Sequence, residues 1–420
     1  MPAERLLAFP GYEEQLLWAP SPEEEHSGVG AAHVLLGSGP ERFAQIGDQA
    51  ARIFNDLVKL EPGSLGAPEP KLIGGFAFRE ARLPSSLWQG FADARFVLPR
   101  IAYTRRAGRA WLTLSVSTQE LAHPAGRARL IRDAQLALQT LRLKLPGSPP
   151  KLGELRSIES PESEWDALVS GILDEIAAGR LEKAVLARAT VLCGASLPPA
   201  AWVLERLRTE APRCSRFALA VAGRTFLGAS PERLVKRAGL RFWTEAMAGS
   251  MQNDAAGHVA ALVRSTKEVL EHGIVAERIR TVLEPLHQSL SADGPDVHRL
   301  RHLSHLRTRF AGVLKGPMHV LDLVARLHPT PAVGGAPQEA ALAWLAEHEQ
   351  FERGFYAGPF GAFDSAGNGE FVVAIRSGLL AEGEAHLFAG AGIVEGSETH
   401  SELRETRLKL HGLLAALGVA

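Results

Sequence analysis

Cysteine is almost absent from this 420-residue sequence. Its two cysteines, Cys193 and Cys214, form no CxxC motif and have no nearby pair of histidines at zinc-binding spacing. A disulfide framework and a structural zinc site are therefore not expected. A chain of this length does not need either, because it can bury most of its apolar surface in a core.

The sequence also lacks an excess of charge of either sign and any long apolar run. It has 46 Lys and Arg against 47 Asp and Glu, so its net charge of −1 gives no basic surface for nucleic acid or an anionic membrane. No apolar run approaches the roughly 18 residues of a membrane span, and the N-terminus lacks the basic and apolar segments of a signal peptide. We therefore expect a cytoplasmic protein that acts on a small molecule.

Proline and glycine punctuate the chain into two regions. The segment 146–154, PGSPPKLGE, interrupts both helical and strand periodicity, and it separates a mixed region 1–150 from a region 155–418. Apolar spacing and β-rich composition predict strands at 71–78, 94–106, 109–118, 182–193, 216–230, 356–364, 369–381 and 385–394, and helices at 126–145, 160–180, 263–286, 319–327 and 397–417. Strands that follow one another with helices between them favour an α+β fold over a doubly wound parallel sheet.

Two residues could form a general acid and base pair. Lys183 stands among Ala, Val and Leu on the predicted strand EKAVLARA, and a partly desolvated amine can act as a base. Glu232 follows the turn FLGASPE, and a carboxyl held in an apolar pocket can donate a proton. Taken alone, each residue has a plainer interpretation: a lysine at a sheet edge with its head in water, and a surface carboxylate in a turn.

Two acidic pairs stand on separate predicted helices. Glu268 and Glu271 in STKEVLEH share one helix face, and Glu402 and Glu405 in SELRETRLK repeat that spacing. If the two helices face each other, four carboxylates form a hard oxygen site suited to Mg²⁺. The alternative is ordinary ion pairing along each helix, since lysines stand at i,i+4 spacing from Glu271 and Glu405.

Three further segments contain candidate ligand-binding residues. Gly390 and Gly392 in FAGAG allow close approach of a ligand to the backbone. Arg376 lies in the apolar segment VVAIRSG, where a guanidinium is costly unless it is paired, and a bound carboxylate could pair with it. His328 lies beside a proline-rich turn, where an exposed histidine is equally common.

Taken together, these segments resemble the chorismate-utilising enzymes, and among them most closely the isochorismate synthases. Eight segments match in the order of the family: LEKAVLAR, FLGASPERLV, AMAGS, STKEVLEH, LHPTPAVGGAP, FYAGPFGAFD, VVAIRSGLL and FAGAGIVEGSETHSELRETRLKL. They cover 155–418 densely, and 1–150 looks like the more variable N-terminal half of the family fold. The resemblance implies a large single α+β domain, in which two antiparallel β-sheets pack face to face with helices on the outer faces.

The same resemblance implies roles for individual residues. Lys183 and Glu232 would be the catalytic base and acid. Mg²⁺ would be held mainly by Glu271 and Glu402, with Glu268 and Glu405 as supporting carboxylates. The residues that would contact chorismate are His328, Tyr356, Arg376, Gly249, Ser250, Gly390, Ala391 and Gly392.

The residue at position 183 distinguishes branches of the family. Anthranilate synthases carry Gln at this position and take ammonia from a glutaminase partner, whereas Lys183 fits the branch that uses water. Aminodeoxychorismate synthases carry a nucleophilic Lys within the motif that here reads AMAGS, and Ala248 cannot take that role. We therefore expect an isomerase that transposes a hydroxyl group of chorismate, without a glutaminase subunit and as a monomer.

Two alternatives remain at this point. A salicylate synthase would share the acid and base and would also eliminate pyruvate, and a non-catalytic chorismate-binding protein would need neither group. The sequence does not separate a menaquinone pathway from a siderophore pathway. One segment departs from the family: 251–262 reads MQNDAAGHVAAL, without the Arg and Pro that often follow the AGS motif.

Overall fold

Antiparallel strands form most of the scaffold. The computed structural model describes residues 1–60, 66–81, 87–144, 155–253 and 257–419, and every strand pairing within them is antiparallel. The described strands are β1 Gln15–Ser21, β2 Glu24–Gly37, β3 Leu72–Phe76, β4 Ala94–Arg106, β5 Arg109–Leu114, β6 Arg156–Glu159, β7 Lys183–Cys193, β8 Ser215–Val221, β9 Arg224–Ser230, β10 Arg233–Ala238, β11 Arg241–Gln252, β12 His287–Arg299, β13 Leu303–Leu314, β14 Gly335–Ala336, β15 Pro359–Phe363, β16 Gly369–Val373, β17 Ser377–Ala381 and β18 Glu384–Ile393. The predicted linker 146–154 lies outside the described residues.

Helices cover the faces of the strands. They are α1 Arg42–Asp56, α2 Thr118–Ala122, α3 Pro124–Arg142, α4 Glu162–Ala177, α5 Ala200–Glu210, α6 His258–Arg264, α7 Thr266–Leu283, α8 Val320–Leu327, α9 Gln338–His348 and α10 Thr399–Leu417, after a short 3₁₀ helix at Ala3–Ala8. The single helix predicted at 263–286 is two helices, because Ser265 leaves helical geometry and its hydroxyl accepts a hydrogen bond from the Glu268 backbone N–H. No helix in the described ranges is long and apolar enough to cross a membrane.

The strands form two layers that fold back on each other. Their ladders run in the order β6, β7, β18, β17, β9, β8, β1, β2, β4, β3, β15, β16, β10, β11, β13 and β12, with β14 also on β7 and β5 also on β4. Four strands stand between β8 and β15 in this order, yet the rings of Phe217 on β8 and Phe360 on β15 stack with centroids 5.0 Å apart. The predicted pair of packed antiparallel layers is confirmed, with the difference that hydrogen bonds through β2 and β4 join the layers.

Residues 1–150 share this scaffold with the rest of the chain. Strand β1 pairs with β8, and β3 pairs with β15. On the outer face, the apolar sides of α5 and α10 pack together through Leu204, Leu410 and Leu413. Helix α4 packs on β7 and β18 through Trp165 and its neighbours.

The chain crosses between the layers at two adjacent places. One crossing joins β9 to β10 and contains Glu232, and the other joins β16 to β17 and contains Arg376. The Val373 N–H donates to the Glu232 carbonyl at 3.1 Å, and the Ala229 N–H donates to the Arg376 carbonyl at 3.2 Å. The strand predicted at 369–381 is therefore interrupted, because its two halves pair with different layers.

Candidate active site

A small cavity lies beside these crossings and brings many of the predicted residues together. Its volume is about 60 Å³. The predicted site residues that line it are Glu232, Ser250, Glu271, Tyr356, Arg376, Gly390 and Gly392. Its other walls include Val185, Met247, Ala248, His305, Ala332, Val333, Phe388 and Lys409. The cavity therefore combines apolar walls with acidic and basic groups, as small-molecule sites do.

Lys183 is fully buried and forms an ion pair beside the cavity. It is the first residue of β7, and its Nζ lies 2.9 Å from Oε1 of Glu271 on α7. Gly392 on the neighbouring strand β18 makes room for this pair. A Cβ atom at position 392 would lie 2.2 Å from Glu271 Oε1 and 2.9 Å from Lys183 Cε, so the site requires glycine there.

Glu232 is a buried carboxyl that holds its proton at neutral pH. Burial raises its pKa to about 8, the charge of Glu245 adds to this rise, and the ammonium groups of Lys183 and Lys409 oppose it. Removal from water disfavours the ionised form, so a neutral Glu232 can donate a proton. Lys183 therefore lies close enough to Glu232 for its charge to act on that carboxyl.

The four carboxylates of α7 and α10 lie close together, each paired with a lysine. Lys267 Nζ bridges the helices, at 3.1 Å from Glu268 Oε1 and 2.6 Å from Glu402 Oε1. Lys409 pairs with Glu405 one helical turn away. The alternative of ordinary ion pairing within one helix thus describes Lys409 with Glu405, but it does not describe Lys267, which connects the two helices.

Burial and repulsion between carboxylates raise the pKa values of Glu402 and Glu268. Burial raises the pKa of Glu402 to about 7, and the charge of Glu405 raises it further against Lys267. Burial also raises the pKa of Glu268, with added repulsion from Glu271 on its own helix and from Glu405 on the other. Although burial opposes it, the ammonium of Lys409 holds the pKa of Glu405 at about 2.

The four carboxylates of α7 and α10 are the kind of ligand that a hard cation prefers, but their side chains are not arranged around a common point. Four carboxylates from two helices supply oxygen atoms, which Mg²⁺ prefers. In the part of the chain that the structure describes, no group of three or more His, Cys, Asp or Glu side chains is arranged to hold a metal ion. Lys267 instead supplies positive charge between Glu268 and Glu402, and it would have to withdraw before both could bind a cation.

Arg376 and Lys409 form a cationic wall of the cavity, and a chain of hydrogen bonds holds Arg376 in it. Arg376 Nη2 lies 3.3 Å from His305 Nε2, and His305 Nδ1 lies 2.9 Å from Ser250 Oγ. Burial lowers the pKa of His305 well below its usual value, and the Arg376 charge lowers it further. A neutral His305 that accepts from Arg376 at Nε2 must carry its proton on Nδ1, and it therefore donates to Ser250.

Arg376 remains available to an anion. In the described ranges no carboxylate lies within ion-pair distance of its guanidinium, and it faces the cavity together with Lys409 and Tyr356. Its backbone adopts the left-handed region, with φ of 53°, at the layer crossing. Such conformations persist only where the surrounding structure enforces them, and they cluster at functional sites.

Three predicted binding residues do not line the cavity. His328 is buried, with Nε2 2.9 Å from the Phe78 carbonyl oxygen, and burial lowers its pKa to about 3. The side chain of Ala391 packs on the outer cluster with α4, because side chains alternate along β18 and its neighbours Gly390 and Gly392 face the cavity.

The third residue, Gly249, allows β11 to approach α7. Its φ is 75°, and a Cβ atom there would lie 2.6 Å from the Glu268 carbonyl oxygen. The next residue, Ser250, uses its backbone N–H to donate to Glu268 Oε2 at 2.7 Å. Gly249 therefore positions a cavity residue and a carboxylate of α7 relative to each other.

Sequence reasoning missed three charged or polar residues of this site. Lys409 lines the cavity and donates to the Gly390 carbonyl oxygen at 2.7 Å, and its place on the helix face of Glu402 and Glu405 could have indicated this. Lys267 could have been found only from the packing of α7 on α10. Nothing in the sequence indicates His305 as a site residue, because its contact with Arg376 arises only from the layer crossing.

Comparison with known proteins places this geometry in a family. A model of the family "Chorismate binding enzyme" matches residues 6–418. The salicylate biosynthesis isochorismate synthase of Pseudomonas aeruginosa is 38% identical over 99% of this chain and 88% of its own length. The isochorismate synthase MenF of Bacillus subtilis is 33% identical over 90% of this chain and 82% of its own length.

A solved structure agrees with these relatives. The menaquinone-specific isochorismate synthase MenF of Escherichia coli superposes with a TM-score of 0.80 and 29% identity, covering 99% of this chain and 91% of its own. With this coverage, the match includes both layers and the helices α7 and α10. The protein therefore belongs to the family of chorismate-binding enzymes.

Proposed function

We propose that the protein converts chorismate into isochorismate by adding water at C2 of the ring and releasing the hydroxyl group of C4. The observation that carries this proposal is the buried lysine and the buried, protonated carboxyl beside one cavity. Support also comes from relatives named isochorismate synthase that align over most of both chains. Their names refer to both salicylate and menaquinone biosynthesis, and the proposed reaction is common to both destinations.

The reaction requires one proton acceptor and one proton donor. The oxygen of a water molecule bonds to C2 while Lys183 accepts one of its protons. The ring double bonds shift, the C4–O bond breaks, and Glu232 gives its proton to the departing hydroxyl group, which leaves as water. Lys183 must be neutral to accept a proton, so its ion pair with Glu271 must open before the chemical step.

The cationic wall would hold the side-chain carboxylate of chorismate. Arg376 and Lys409 provide positive charge at the cavity, and Tyr356 provides a hydroxyl donor. Burial raises the pKa of Tyr356 to about 12, so its hydroxyl keeps the proton that it would donate. A carboxylate between these groups would satisfy the guanidinium of Arg376, whose hydrogen-bond partner among the described residues is the His305 ring.

Mg²⁺ would be held mainly by Glu271 and Glu402, with Glu268 and Glu405 in support. Four neighbouring carboxylates face three lysines, which leaves a site that favours added positive charge. When bound, the cation would supply charge that holds the ring carboxylate of chorismate. The backbone at Gly390 and Gly392 borders the same cavity and leaves room for that carboxylate.

The direct test incubates the protein with chorismate and Mg²⁺ and separates the products by chromatography. We expect isochorismate from the wild type, and a loss of about 10²–10⁴-fold in rate for Lys183→Ala. The exposed Arg109→Gln variant is the matched control and should keep full activity. Loss of only a few fold in Lys183→Ala would remove this lysine from the proposed role.

The same assay separates the alternative functions. Pyruvate released together with the aromatic acid would identify a salicylate synthase. Binding of chorismate without any product would identify a non-catalytic binding protein. We also propose that water and not ammonia is the nucleophile, so added ammonium salts should yield no aminated product.

Calorimetric titration of Mg²⁺, with and without chorismate, tests the metal site. Glu271→Gln and Glu402→Gln should each weaken Mg²⁺ binding, while Glu395→Gln at an exposed position should not. Mg²⁺ and chorismate should strengthen each other's binding reciprocally. Equal Mg²⁺ affinity in all of these proteins would mean that the metal site lies elsewhere.

A further inference from the structure

A second cavity in the described part of the structure is larger than the reaction cavity, which is the space lined by Glu232 beside Lys183. A chamber of about 470 Å³ lies between the segment after α5, the turn that joins β12 to β13, and the helix α10. This volume is typical of sites for small molecules, which span about 300–1,000 Å³. The reaction cavity, at about 60 Å³, is too small to admit a substrate without movement of its walls.

The chamber and the reaction cavity share part of their walls. Arg376 and Lys409 line both spaces. Arg376 is held at the layer crossing, where its carbonyl oxygen accepts from the Ala229 N–H, and Lys409 is held by Glu405 and the Gly390 carbonyl oxygen. A ligand in the chamber would therefore meet the two cations that also face the reacting groups.

The lining of the chamber matches a small apolar acid. Its interior is formed by apolar side chains, including Leu207, Leu303 and Leu413. Arg213 and Arg299 stand at its exposed side, and in the described part of the chain neither forms an ion pair with a carboxylate. Arginine side chains around an apolar cleft attract anions and raise their rate of association.

We propose that this chamber is the entrance through which a small cyclic dicarboxylate reaches the reaction cavity. The ligand would first be attracted by Arg213 and Arg299, and its carboxylate would then pass to Arg376 and Lys409. This proposal rests on the proposed function, because it assigns chorismate as the dicarboxylate. The proposal adds a binding site in the chamber and a path from the chamber to the reaction cavity, neither of which follows from the proposed acid, base and metal ligands.

Gly412 allows the chamber to be blocked from one side. This residue lies on α10 in the chamber wall, and a Cβ atom added to it would have no neighbour within 4 Å. Gly412→Trp should fill the chamber, whereas Gly412→Ala should leave it open and serves as the matched control. We expect Gly412→Trp to lower the association rate constant of chorismate, and with it kcat/KM, by at least about tenfold.

A second pair of variants tests the charges without filling any space. The doubly substituted Arg213→Gln, Arg299→Gln protein should show slower association and a weaker dependence of association on ionic strength. Arg109→Gln, which removes an exposed arginine that lines neither cavity, is the control. Stopped-flow fluorescence measures association, and steady-state assays measure kcat and KM on the same proteins.

The outcomes separate this proposal from the proposed function. If the wild type produces isochorismate but the blocked and charge variants associate at the wild-type rate, the entrance lies elsewhere and only this proposal fails. If the wild type binds chorismate through this chamber without turning it over, only the proposed function fails. Absence of chorismate binding by the wild type would overturn both. Should Gly412→Trp fail to fold, the charge variants decide the question.

Discussion

Replacement of Glu232 by glutamine should change the stability of the protein in a way that depends on pH. The wild-type side chain is buried with its pKa raised from 4.5 to about 8, chiefly by burial and then by Glu245. In the unfolded chain this carboxyl ionises near pH 4.5, so between these two values the folded state binds more protons than the unfolded state. Stability from this group is thus fully present below about pH 4.5 and is lost as the pH rises through 8.

The size of the effect follows from the two pKa values. One pKa unit corresponds to about 1.4 kcal/mol, so the loss approaches about 5 kcal/mol above pH 8 and is about 3 kcal/mol at pH 7. Glutamine has nearly the same shape and does not ionise. The difference in free energy of unfolding between Glu232→Gln and wild type should therefore move in favour of the variant by about 4 kcal/mol from pH 5 to pH 9.

Urea denaturation at several pH values, without Mg²⁺, measures this difference. Subtracting the wild-type curve from the variant curve removes the titration of all other groups that the substitution leaves unchanged. Glu395→Gln, at an exposed position, should give a difference that is flat with pH. A flat difference for Glu232→Gln as well would refute the raised pKa, and with it the assignment of Glu232 as the proton donor. The variant should also lose about 10²–10⁴-fold in turnover.

Three other predictions concern the site and its metal. Gly392→Ala should abolish turnover, because its Cβ would overlap the ion pair of Lys183 with Glu271, whereas Gly412→Ala should retain activity. Steady-state assays measure the turnover of both proteins, and circular dichroism shows whether a loss of turnover comes from a general folding defect. Lys267→Gln should tighten Mg²⁺ binding in calorimetry, because the bridging ammonium competes with the cation, and weaker Mg²⁺ binding would contradict this competition. The same variant should lower the free energy of unfolding of the metal-free protein by about 1–3 kcal/mol, because the ammonium neutralises buried carboxylates. The kcat/KM of the wild type should fall as the pH rises through about 8, where Glu232 loses its proton, and a profile that keeps rising to pH 10 would exclude this carboxyl as the acid.

Local sequence patterns were sufficient to predict many of the strands and helices. The strand predicted at 94–106 has these bounds in the structure, and that predicted at 182–193 differs by one residue. Apolar composition and strand-breaking residues act over a few neighbouring positions, so they can be recognised without knowing the fold. Lys183 and Glu232 were candidates from their local segments, but each kept a plainer interpretation until the resemblance to the family implied their roles.

Only the tertiary structure decided how these groups meet. Arg376 interrupts what the sequence presents as one strand, because its two sides pair with partners in different layers. Lys267 bridges two helices that are more than a hundred residues apart in the sequence. The ring of His305 is held by hydrogen bonds with both Ser250 and Arg376. His328 belongs to the family-like segment LHPTPAVGGAP, yet it is buried against Phe78 and does not line the cavity. Periodicity specifies which side of an element is apolar, but long-range packing determines which charges become neighbours and how far each is removed from water.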